Sequence, residues 1–253
     1  MTDVEHGTVT EVADRVYRVG HAYVSCYLVE EDGRLLLVDA GLPRVWPLLG
    51  RAVRQIGRTP RDLVGVALTH AHFDHIGVAA RLQDRLGIPV WAHVDDHTLA
   101  AHPYRYAHES PRLRYPLRYL GGARILASMA RAGALTVPGV RGVTAYAVDG
   151  PLDLPGRPLV LPTPGHTYGH VALHLPDRDA LLTGDALVTL DPYTGREGPQ
   201  VVAGAATADS AQALASLDVI AATGASVLLP GHGEPWRDGA ASAVALARAV
   251  GSH

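Results

Sequence analysis

Thr69-His70-Ala71-His72-Phe73-Asp74-His75 is the stretch on which the reading of this chain turns. It sets four metal-competent side chains within six positions, between the apolar run Val64–Leu68 and a helical pattern at Ile76–Leu86. A metal needs several ligands converging at about 2.0–2.2 Å, and imidazole with carboxylate suits zinc. At a strand end side chains repeat every second residue, so His70 and His72 can point the same way. As the chain turns into the helix, Asp74 and His75 can face a second position nearby. One short loop can therefore serve two metals. At this chain's own His and Asp frequencies the pattern arises by accident in roughly a few of every thousand such chains. The cluster thus carries weight that no single histidine does.

One loop cannot close two sites, and three further strand ends offer ligands. Pro164-Gly165-His166 follows Leu159–Leu161, Thr183-Gly184-Asp185 follows Ala180–Leu182, and Pro230-Gly231-His232-Gly233 follows Ser226–Leu229. Each has an apolar strand, a glycine that permits a sharp turn, and a ligand-type residue. The remaining pattern predicts strands at Val9–Val19, Ala22–Glu30, Leu35–Val38, Val90–His93, Thr144–Val148 and Val171–Leu175. It predicts helices at Val45–Ile56, Asp95–Ala101, Leu117–Arg131, Thr207–Ala222 and Gly239–Val250. Two successive sets of strands and helices make an α/β protein. A four-layer αββα sandwich is the architecture this order allows without requiring it.

The 253 residues suit one large domain, 1–253, with an ordinary 47% hydrophobic and 19% charged content. The net charge of −3 gives the whole chain no nucleic-acid signature. The single cysteine, Cys26, cannot form an internal disulfide and reads as a small buried hydrophobe. No run reaches the ~18 apolar residues of a membrane span, and no export signal opens the sequence, so a cytoplasmic protein is expected. The segment 103–138 is unusual. It holds six arginines (Arg105, Arg112, Arg114, Arg118, Arg124, Arg131), the tyrosines Tyr104, Tyr106, Tyr115 and Tyr119, and one acid, Glu109. It reads as an insertion on the core.

The motif set resembles the metallo-β-lactamase-fold superfamily of metallohydrolases, closest to its glyoxalase II-like and lactonase-like branches. The residues that carry the likeness are Asp39-Ala40-Gly41, His70–His75, Pro164-Gly165-His166-Thr167-Tyr168-Gly169-His170, Thr183-Gly184-Asp185 and Pro230-Gly231-His232-Gly233. The resemblance implies the αββα sandwich with its site at the sheet edges. It implies that His70, His72 and His166 hold one metal, that Asp74, His75 and His232 hold the other, and that Asp185 bridges them. The metals would be two Zn²⁺, with iron or manganese possible for the same ligands. A hydroxide between metals about 3.5–4 Å apart would be the nucleophile. Asp74 and Asp185 would be the catalytic carboxylates. Asp39 would orient a ligand histidine by hydrogen bond. Tyr193, or Tyr168 in its place, would donate to the substrate carbonyl.

The resemblance also separates branches. Flavodiiron relatives carry a carboxylate where this chain has His72, and true β-lactamases lack a bridging aspartate at the position of Asp185. The expected activity is hydrolysis of a small-molecule ester, lactone or thioester. Two alternatives stay open: a mononuclear iron persulfide dioxygenase, and a metal-dependent nuclease or phosphodiesterase, although a nucleic-acid partner is not expected. Glyoxalase II relatives hold their thioester with a long C-terminal helical domain. Only about twenty residues follow Gly233 here, so the 103–138 insertion is the lid expected over the substrate. Arg105, Arg112, Arg114, Tyr115, Arg118 and Tyr119 would be its contacts. A homodimer contact is the other reading of that segment.

Overall fold

A computed structural model describes residues 7–147 and 150–252. The first sheet follows sequence order through seven strands: β1 (Thr8–Ala13), β2 (Val16–His21), β3 (Val24–Glu31), β4 (Arg34–Val38), β5 (Leu63–Ala67), β6 (Val90–Ala92) and β7 (Thr144–Ala145). It is antiparallel from β1 to β4 and parallel from β4 to β7. The second half holds β8 (Leu159–Pro162), β9 (Val171–Leu175), β10 (Ala180–Gly184), a short hairpin of β11 (Val188–Leu190) and β12 (Glu197–Gln200), and β13 (Val227–Pro230). Its four-stranded sheet runs β13-β10-β9-β8. The helices are α1 (Trp46–Gln55), α2 (Ala79–Leu86), α3 (His97–Ala101), α4 (Arg114–Arg118), α5 (Leu120–Arg131), α6 (Ser210–Ala222) and α7 (Ala240–Val250).

Alternation along the strands builds the layers. In β3 and β4, Cys26, Leu28, Leu35 and Leu37 join Leu49, Val53, Leu82 and Ile125 in a core between sheet and helices. Their neighbours Tyr27, Val29, Leu36 and Val38 face the other way and meet Leu173, Leu175, Leu182 and Leu229 of the second sheet. On that sheet's outer face Ala172, Leu181 and Leu228 pack with Leu217, Ile220 and Val244 of α6 and α7. Three apolar layers between helix, sheet, sheet and helix make the αββα sandwich. Both sheets are covered on two faces, which is why their strands read as continuous apolar runs. Cys26 is buried and free, its thiol pushed far above the usual range by desolvation.

The structure redraws several predicted elements. Val9–Val19 is two strands, because Arg15 turns the chain with φ 51°. The helix expected from Ile76 starts at Ala79, since Gly77 and Val78 donate their N–H groups to Gly41 and Ala40 (2.7 and 3.1 Å). Thr207–Ala222 is helical only from Ser210, capped where Asp209 Oδ1 accepts from Gln212 N at 2.8 Å. Leu117–Arg131 breaks at Tyr119, whose backbone is extended. The strand expected over Thr144–Val148 covers Thr144–Ala145, and Val148 lies outside the described residues.

Segment 103–138 contributes to both halves. Ile125, Met129, Ala132, Ala134 and Val137 enter the core beneath α1 and α2. Tyr106 and Tyr115 pack with Val188, Tyr193 and Val202 of the second half.

Candidate metal centre

The candidate ligands lie at the carboxyl ends of strands, where side chains of open α/β sheets converge on ligands. Asp39 follows β4, the 70–75 loop follows β5, His166 follows β8, Asp185 follows β10, and His232 follows β13. All seven candidate ligands are buried. Their donor atoms form three groups: His70, His72 and His166; His70, His75 and Asp185; and Asp74, His75 and His232, each within 4.8 Å. Asp185 lies between them. Its Oδ1 is 3.5 Å from His75 Nε2, and its Oδ2 is 3.5 Å from His166 Nε2 and 3.3 Å from His232 Nε2.

Hydrogen bonds behind the rings fix which nitrogens face inward. Thr69 Oγ1 donates to Asp39 Oδ2 at 2.9 Å, so it accepts from His70 Nδ1 at 3.1 Å. His75 Nδ1 donates to the same carboxylate at 2.9 Å. Asp39 therefore orients two rings, one directly and one through Thr69. Thr207 Oγ1 donates to the Val202 carbonyl at 2.7 Å and accepts from His166 Nδ1 at 3.3 Å. His232 Nδ1 donates to the Tyr23 carbonyl at 2.8 Å. In each case Nε2 is the nitrogen turned into the site, and it can bind a metal wherever it carries no proton. His72 instead presents Nδ1, 3.0 Å from His166 Nε2.

The result is a set of buried polar atoms without hydrogen-bond partners among the described residues, including His70 Nε2, His75 Nε2 and Asp185 Oδ1. Such orphans are rare unless an ion or water completes them. Nitrogen donors with carboxylate oxygens suit a divalent transition metal, so the residues fit the group their motif implies. Gly231 leaves room for this: an added Cβ would lie 2.3 Å from Asp185 Oδ1.

Electrostatics divides the site. Burial and neighbouring histidines hold His70 and His72 well below the usual imidazole pKa. Burial pulls His75 down, but Asp185 and Asp39 win and raise it to about 9. His232 is raised well above its usual value by Asp185 and Asp74 against desolvation. Burial alone would raise Asp185, yet His232 and His75 hold its carboxyl well below the usual carboxylate range.

A family model described as the metallo-beta-lactamase superfamily matches residues 19–232. The chain belongs to the metallo-beta-lactamase superfamily. Among its relatives is a probable metallo-hydrolase, YflN of Bacillus subtilis (strain 168), 26% identical over 93% of this chain and 90% of its own. The superfamily protein TTHA1429 of Thermus thermophilus shares 26% identity with a TM-score of 0.62, over 89% of this chain and 75% of that one. TTHA1623, solved in a di-iron-bound form, shares 27% identity with a TM-score of 0.56, over 85% and 89%. The chain is thus a metallohydrolase of this superfamily with a His/Asp cluster able to bind metal.

Beside the cluster is a cavity of about 10 Å³, roughly one water molecule. His72, Asp74, His166, Asp185 and His232 form its polar wall, and Tyr106, Leu126, Met129 and Tyr193 close it. Tyr193 is buried, its hydroxyl 3.3 Å from that of Tyr106. Tyr168, by contrast, is exposed and does not line the cavity. None of Arg105, Arg112, Arg114, Tyr115, Arg118 and Tyr119 lines it either. The 103–138 segment does cover the site, but through Tyr106, Leu126 and Met129. Arg112 acts behind Tyr106, its guanidinium 3.9 Å from the ring centroid.

Sequence reasoning missed Asp96. Its buried carboxylate accepts from Ala71 N (2.9 Å), Thr167 Oγ1 (2.9 Å) and Gly169 N (3.1 Å), tying the 70–75 loop to the 166–170 loop. In the sequence Asp96 is only the second residue of the predicted helix Asp95–Ala101. His170, without a role in the motif reading, accepts from Asp185 N at 3.0 Å.

Proposed function

We propose that this chain is a dinuclear metal hydrolase that cleaves an ester, lactone or thioester, with zinc in both positions. The observation that carries this reading is Asp185, within 3.5 Å of histidines from both ligand sets. His70, His72 and His166 would hold one ion, Asp74, His75 and His232 the other, and Asp185 both. Two such ions would supply a nucleophilic water at neutral pH and polarise the bond under attack. The protein's own part is placement. Asp39 and Thr69 hold His70 and His75 in one tautomer. Tyr193, steadied by Tyr106, would donate a hydrogen bond to the substrate oxygen that gains charge. Leu126 and Met129 exclude water and favour a partly apolar group.

Iron is the alternative metal, since TTHA1623 is known in a di-iron form at 27% identity. A mononuclear dioxygenase would need only His70, His72 and Asp185, and the complete Asp74, His75 and His232 set favours two metals. The test is a panel of lactones, thioesters and phosphodiesters with metal-loaded and chelator-stripped protein. Metal-dependent turnover of a lactone or thioester that Asp185→Asn lowers at least a hundredfold is expected. Oxygen uptake with one iron per chain, or turnover confined to phosphodiesters, would overturn the reading.

A further inference from the structure

The segment that closes the cavity has a second, outward side. Leu113, Leu117 and Leu120 are 82%, 88% and 76% exposed, and Leu135, beyond α5, is 77% exposed. Leu113 and Leu117 lie four positions apart, so they share one side of the α4 turn. Large apolar side chains this exposed, clustered in one segment, mark an interaction surface. Arginines lie among them: Arg105, Arg114, Arg118, Arg124 and Arg131 are all exposed. None of the five has a carboxylate partner among the described residues. The one acid of the segment, Glu109, is turned to Ser210, accepting from its backbone N and its hydroxyl. Five exposed arginines against this single acid leave the surface apolar and strongly cationic.

We propose that this outer side of segment 103–138 docks the protein on an anionic lipid surface. Leucines suit the boundary between headgroups and acyl chains, and unpaired arginines suit anionic headgroups. A second copy fits less well. A twofold contact through this side would set each cationic patch against its own copy. The same segment supplies Tyr106, Leu126 and Met129 to the cavity wall, so a docked lipid would lie against the segment that covers the site. No helix among the described residues is long and apolar enough to cross a membrane, so the contact is peripheral.

The test is flotation of the metal-loaded full chain with vesicles of phosphatidylcholine, with or without phosphatidylglycerol, alongside light scattering for mass. We expect binding that needs phosphatidylglycerol and weakens with salt. Each basic residue near such a surface strengthens binding roughly fivefold. Arg114→Glu with Arg118→Glu should therefore weaken it tenfold or more, as should Leu113→Ser with Leu117→Ser and Leu120→Ser. These positions are on the surface, so unchanged melting and metal content would show that the variants fold. Absence of vesicle binding at low salt, or binding by both variants equal to that of the natural sequence, would overturn the proposal. So would a dimer that the leucine variant dissociates without any vesicle binding. All three readouts are independent of hydrolysis, so failure here leaves the metallohydrolase reading standing.

Discussion

At the scale of single residues, Asp39 has the widest reach. One carboxylate, in a left-handed conformation at φ 56°, accepts from Thr69 N, Thr69 Oγ1 and His75 Nδ1. Partners behind metal ligands are typically worth 10–100-fold in affinity. Asp39→Asn should thus lose metal to a chelator about tenfold or more readily, read by competition with a chromogenic chelator. The histidines make metal-free stability depend on pH in two opposite windows. His75 is raised to about 9 in the fold. Its stabilisation is complete below its unfolded pKa of about 6.5 and is lost as pH rises through about 9. His70 and His72 are lowered, so their contribution is present above about 6.5 and lost as pH falls. Metal-free protein should melt at a lower temperature on both sides of neutrality, and the metal-loaded form should be less sensitive between pH 7 and 9, where metal replaces the His75 proton. Flat melting of metal-free protein across about pH 6.5–9 would remove the His75 assignment.

At the scale of elements, α5 shows why the glycines in its first turn matter. A Cβ on Gly122 would fall 1.8 Å from the Tyr193 carbonyl oxygen, whereas one on Gly121 would meet its nearest atom at 3.4 Å. Gly122→Ala should displace the Tyr193 turn and lower the melting temperature by several degrees. Gly121→Ala should be neutral or slightly stabilising, since alanine gains up to about 1 kcal/mol over glycine in a helix. Equal melting of the two variants would contradict that packing. The pair also marks where the sequence stopped being readable. Strand-end ligands were legible because apolar runs, glycine and His or Asp are all local signals. Asp96 was not, because its three partners come from Ala71, Thr167 and Gly169, loops that only the fold brings together. Tyr106 was one of four similar tyrosines in an irregular segment, with no period to show which faced inward. The β11–β12 hairpin escaped because its strands have three and four residues, too short for a period.

At the scale of the whole molecule, the ligands come from both sheets. The 70–75 loop belongs to the first, and His166, Asp185 and His232 belong to the second. A bound metal therefore ties the halves together. A ligand present at a thousandfold its Kd stabilises by about 4 kcal/mol. For a chain of this size that is on the order of ten degrees in melting temperature. Chelation should lower melting by about that amount, and re-addition of metal should restore it. A chelated protein that melts unchanged would mean the sandwich holds itself together without the site.

The most direct measurement is metal content per chain, by elemental analysis, of protein purified without added metal, for the natural sequence and for Asp185→Asn. Two metals per chain in the first and one or fewer in the second is the predicted result. One metal in the natural sequence, or two retained in Asp185→Asn with full hydrolytic turnover, would contradict a dinuclear centre built around Asp185.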